Sequence, residues 1–126
     1  MPDSEKPVHL LVVDDDPTIL KTATLMLNTL GFTVETASTG AQGLELLANN
    51  AERFTLVLTD YSMPDMDGRE MVRKARERGK MPPFVVVSGY VLEDDDLEDD
   101  FIAYLLKPFR MKDLTHALTR LLDKQS

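Results

Sequence analysis

Four of the five apolar runs in this chain stop on a polar or charged residue, and that repeated ending constrains the fold more than any other feature. The runs are residues 8–13 (VHLLVV), 32–37 (FTVETA), 54–59 (FTLVLT), 84–87 (FVVV) and 103–106 (AYLL). Most are short and continuously apolar, the pattern of strands buried on both faces; FTVETA alternates like a half-buried strand. Continuous apolar strands separated by helices predict a parallel sheet covered on both sides.

The intervening segments carry helical spacing. Asp16-Pro17 supplies an N-cap and a first-turn proline, Leu20, Ala23, Leu27 and Leu30 recur on one face of residues 17–30, and Gly31 closes the helix. Residues 40–50 bring Ala41, Leu44, Leu47 and Ala48 to one side, residues 69–78 end at Gly79, and residues 111–122 align Met111, Leu114, Leu118, Leu121 and Leu122. A further helix belongs within residues 91–101 (VLEDDDLEDDF), but seven of the eight residues from 93 to 100 are acidic. Like charges three and four apart disfavour a helix, so this fourth helix is predicted to be short or irregular, packed mainly through Leu97 and Phe101. Five βα units in 126 residues suit an α/β doubly wound five-stranded sheet of order 2-1-3-4-5. No repeat or linker interrupts it, which predicts one domain over residues 1–126 with its core at about 8–123.

Composition narrows the function. A net charge of −8 argues against non-specific nucleic-acid binding, and the absence of cysteine excludes disulfides, thiolate metal sites and cysteine catalysis. Neither a signal peptide nor a run of ~18 apolar residues is present, so no membrane insertion and a cytoplasmic location are expected.

Ligands of open α/β sheets bind beyond the carboxyl ends of the strands. LLVV runs into Asp14, Asp15 and Asp16, LVLT into Asp60, FVVV into Ser88 and AYLL into Lys107. Parallel strands would gather these residues at one edge of the sheet. Crowded carboxylates repel, a hard divalent cation neutralises them, and an oxygen-only donor set favours Mg²⁺ over zinc. Each residue also has an ordinary reading: Asp14–Asp16 as a charged helix cap, Ser88 as a strand-end turn, Lys107 as a surface lysine, Asp60 as a loop residue just past its strand. The joint recurrence of strand followed by polar residue is harder to explain that way.

The motifs VVDDDP, LTDYSMPDMDG, VVVSGY and YLLKPF, in this order and spacing, resemble the receiver domain of bacterial response regulators, and the resemblance covers nearly the whole chain. It implies the flavodoxin-like form of the fold and a role in a two-component phosphorelay. Carried over, Asp60 is the phosphate acceptor; Asp14, Asp15, Asp60 and the backbone carbonyl of Ser62 hold Mg²⁺; Lys107 and Ser88 contact phosphoryl oxygens. Tyr104 resembles the aromatic that changes rotamer on phosphorylation, while Ser62 and Tyr90 flank the path of the water that removes the phosphate. Asp16 matches no essential family position and keeps its helix-cap reading. A histidine kinase or histidine phosphotransfer protein is the implied donor, and a downstream protein or a fused domain the implied recipient, with no direct nucleic-acid binding. SGY resembles receivers of hybrid sensor kinases, although stand-alone receivers share it. No DNA-binding extension follows Lys124-Gln125-Ser126, so output is expected through protein contact or a chain beyond this one.

Three rival readings fit parts of the sequence. Asp14-x-Asp16-x-Thr18 fits the first motif of haloacid-dehalogenase-type phosphatases, but no later acidic motif follows Lys107 and Asp60 would be idle. An EF-hand with Gly68 as its glycine puts Met63 and Lys74 at ligand positions, which fails. A degenerate receiver that only binds proteins has no reason to carry every active-site residue type.

Overall fold

The computed structural model describes residues 8–89 and 101–124. Strand β1 (His9–Val13) leads into helix α1 (Pro17–Thr29), β2 (Thr33–Ala37), α2 (Gly40–Asn50), a 3-10 turn (Ala51–Arg53), β3 (Leu56–Asp60), α3 (Gly68–Glu77), β4 (Phe84–Ser88), β5 (Ile102–Leu106) and α4 (Met111–Lys124). The five strands form one sheet in the order β2-β1-β3-β4-β5, every pairing parallel. This is the doubly wound order expected from the strand pattern, in the flavodoxin-like form that the resemblance implies.

Period-two alternation divides the core between the faces of the sheet. Leu10, Val12, Leu56, Leu58, Val85 and Val87 meet Ala23 and Leu27 of α1 and Leu114, Leu118 and Leu121 of α4. Leu11, Val13, Val57, Phe84 and Val86 face the other way, against Leu44 and Leu47 of α2 and Met71, Val72 and Ala75 of α3. With strands buried on both sides, a one-residue slip would exchange the two cores, so the register is firmly set. Among the described residues no helix is long and apolar enough to cross a membrane.

The boundaries differ from the sequence reading where hydrogen bonds outrun hydrophobicity. Asp60 is the last residue of β3 and not a loop residue beyond it, and Ser88 likewise ends β4. At the other end β3 starts at Leu56, because Phe54 closes the 3-10 turn through a bond to the Ala51 carbonyl. The fourth helix expected within residues 91–101 falls outside the described residues apart from Phe101. That ring, expected to be an anchor, is 46% exposed; the residue serves the sheet through its carbonyl, which accepts the Phe84 N–H at 2.8 Å.

Candidate functional site

The register explains why the polar strand ends converge. Val13 lies beside Thr59, Asp60 beside Val87, and Ser88 beside Leu106. Asp14 and Asp60 therefore stand level on neighbouring strands, while Ser88 and Lys107 each follow one residue after a paired position. Ladder bonds continue past the strands: Asp14 N–H donates to the Ala37 carbonyl, Tyr61 N–H to Val87, and Lys107 N–H to Ser88.

The carboxylates of Asp14, Asp15 and Asp60 each place an oxygen within 4.8 Å of the others. Asp15 is exposed, whereas Asp14 and Asp60 retain only 5% and 8% of their surface. Lys107 Nζ lies 2.9 Å from Asp60 Oδ1. Burial pushes the Asp14 carboxyl above the ordinary aspartate range; the Asp16 N–H it accepts at 2.9 Å opposes this, the charge of Asp60 adds to it, Lys107 pulls back and Asp15 adds again. Three acids facing one lysine leave the site short of positive charge. An all-oxygen cluster of this spacing could hold a hard divalent cation.

The other residues singled out in the sequence surround this cluster. Ser88 is buried, Ser62 is exposed on the loop after β3, and Tyr104 is half-buried among the side chains shared with α2 and α3. Tyr90 lies outside the described residues. Asp16 caps α1, its Oδ1 accepting the Thr18 N–H at 2.9 Å. Beside the carboxylates a cavity of about 500 Å³ opens between α1 and the stretch after β5, with Ile19, Thr22 and Phe109 in its walls and Asp14, Asp60 and Lys107 at its polar end.

The sequence reading missed Asp65, whose carboxylate accepts the Gly40 and Ala41 N–H groups at the start of α2. The available signal was indirect: an N-cap side chain such as that of Thr39 cannot satisfy the whole first turn of the helix.

The family model for the response regulator receiver domain matches residues 10–119. The chain belongs to this family. Receiver domains are signalling domains of two-component systems, and this receiver shares 32% identity over 98% of its length with the transcriptional regulatory protein GlrR of Escherichia coli (strain K12). It is 31% identical, over 92% of its length, to the sensor kinase CckA of Brucella abortus (strain 2308). It spans only 28% and 13% of those two proteins. Among solved structures, a receiver domain protein from Methanospirillum hungatei JF-1 is 33% identical and superposes with a TM-score of 0.80, covering 94% of this chain and 96% of that one. The phosphatase reading is not favoured, because the receiver family matches the chain over residues 10–119.

Proposed function

We propose that this receiver accepts a phosphoryl group on Asp60 in a Mg²⁺-dependent reaction, from a cognate histidine kinase or histidine phosphotransfer protein, and so controls a downstream partner or a fused domain. In this reading residues 8–123 form one receiver core working in the cytoplasm. The observation that carries it is the setting of Asp60: an almost buried carboxylate ending β3, held by Lys107 and flanked by two further acids.

An Asp60 carboxylate oxygen attacks phosphorus, the donor's P–N bond breaks with its electron pair leaving on the imidazole, and an acyl phosphate forms. Such a transfer needs positioning and charge neutralisation more than covalent help. Lys107 supplies a fixed cation to the phosphoryl oxygens, and the Ser88 hydroxyl offers a hydrogen bond to the product. Asp14, Asp15, Asp60 and the Ser62 carbonyl would hold Mg²⁺, which would supply Lewis-acid neutralisation of the charge on the transferring group. Movement of Ser88 toward the phosphate would open room for Tyr104, giving two packings that one modification can bias. Ser62 and Tyr90 would tune the lifetime of the product. The domain is thus a switch that catalyses its own modification rather than an enzyme with a separate substrate.

The test is intact-protein mass spectrometry after incubation with a small phosphodonor and Mg²⁺. One phosphate adduct is expected, absent in Asp60→Asn and in EDTA. An adduct that persists in Asp60→Asn would sink the assignment.

A further inference from the structure

Helix α2 obtains half of its first-turn acceptors from a different part of the chain. Of its leading N–H groups, Gln42 bonds to Thr39 Oγ1 at 3.0 Å and Gly43 to the Thr39 carbonyl at 3.1 Å. Gly40 and Ala41 donate instead to Asp65, at 3.1 Å to Oδ1 and 2.9 Å to Oδ2. Asp65 lies in the loop between β3 and α3, five residues after Asp60 and three after Ser62.

The next residue reinforces the contact. Met66 packs directly on Gly40: a Cβ there would lie 2.6 Å from its Cγ, so any larger residue would force the Met66 side chain to shift. The loop is also tied at both ends: Tyr61 N–H donates to Val87, Gly68 N–H closes on the Tyr61 carbonyl, and Asp67 caps α3 through the Glu70 N–H. Between these ties Asp65 adds an anchor to the body of the domain, three residues after Ser62, which follows directly on Tyr61.

We propose that Asp65 is a positioning residue for phosphoryl transfer: its two-oxygen grip on the start of α2 fixes the loop that presents the Ser62 carbonyl beside Asp60. This rests on the reading of the site given above. Burial alone would raise the Asp65 carboxyl, but the N–H groups of Ala41 and Gly40, with those of Asp65 and Met66, outweigh it and hold the group below the ordinary range. The grip therefore stays charged at neutral pH. Residues that orient metal ligands without touching the metal typically change affinity by about 10–100-fold when removed.

The experiment follows the backbone amides by NMR while MgCl₂ is added to the unphosphorylated protein, for wild type, Asp65→Ala, Asp65→Asn and Thr39→Ala. Thr39→Ala removes a cap from the same helix without touching the loop. Asp65→Ala is expected to raise the half-saturating Mg²⁺ concentration at least tenfold and Asp65→Asn by less, while Thr39→Ala lowers the melting temperature but leaves Mg²⁺ binding within about twofold. Should Asp65→Ala not fold, Asp65→Asn carries the comparison. Wild-type Mg²⁺ binding in both Asp65 variants overturns the proposal, as does an equal loss in Thr39→Ala, which would mean that the cap serves only stability. Wild-type protein that binds Mg²⁺ but takes no phosphoryl group would instead count against the phosphoacceptor reading and leave the role of Asp65 in holding the loop intact.

Discussion

Two regions of the sheet treat charge in opposite ways. Away from the carboxyl ends, Glu35 in the middle of β2 is met by Arg53 and by His9 Nε2 from the start of β1, each at 2.7 Å. His9 also stacks on Phe54 with ring centroids 5.3 Å apart, and the Arg53 guanidinium lies 4.9 Å above that ring. One acid has two basic neighbours there, at a partly exposed site. At the carboxyl ends three acids have one lysine, and the two most buried acids stand level on adjacent strands. The first arrangement is what stability alone selects. The second stores repulsion, which is tolerated where a site must bind something positive or transfer charge.

The largest effect that would sharpen this contrast is kinetic. Replacing Lys107 with alanine removes the one described cation beside Asp60, and phosphorylation by a small donor should slow by about 10²–10³. Lys107→Ala reacting at the parent rate would deny the lysine a part in the transfer.

Stability should respond with opposite signs in the two regions. Asp14→Asn is expected to stabilise the metal-free protein by about 1 kcal/mol, the usual direction when a functional group that strains the fold is removed. Because the folded-state pKa of Asp14 is raised, folding favours its protonated form, and the ionised form is penalised as pH rises out of the ordinary aspartate range. The gap between Asp14→Asn and wild type should therefore widen from acid to neutral pH. Glu35→Gln should instead destabilise, by only about 0.5–1 kcal/mol because its partners are partly exposed, and less at high salt. Denaturant unfolding across pH measures both. If Asp14→Asn proves destabilising at neutral pH, the strain assigned to the carboxyl end is absent.

The smallest effect concerns the lifetime of the phosphorylated state. Substitutions at Ser62 and Tyr90 should alter the hydrolysis of the phosphorylated protein by no more than about tenfold, roughly 1.4 kcal/mol, while leaving its formation close to normal. Dephosphorylation rates that do not change in Tyr90→Ala would deny that residue a part in setting the lifetime.

What could be read in the sequence was whatever depends on local pattern. Strand and helix order, the two-sided burial and the polar ends of four strands follow from runs of residues such as LLVVDDD and LVLTD. The end of β3 was misjudged by one residue because apolarity stops at Leu58 while the ladder bonds continue to Tyr61. Contacts that depend on register or on distant loops were not legible. His9, Glu35 and Arg53 meet only because β1 and β2 pair with His9 opposite Thr33 and Leu11 opposite Glu35. Asp65 carries no local signal of its role, since its two donors lie 24 and 25 residues earlier in the chain.

The placement of the site at strand ends has a consequence for how such a domain evolves. Asp14, Asp60, Ser88 and Lys107 take their positions from the parallel ladder and the two cores beneath it, not from the outward faces of the helices. Mutations on those faces can drift while the strand-end groups keep their spacing. A module built this way can be re-addressed without being reinvented, which suits a fold that recurs as a small fraction of both a transcriptional regulator and a sensor kinase.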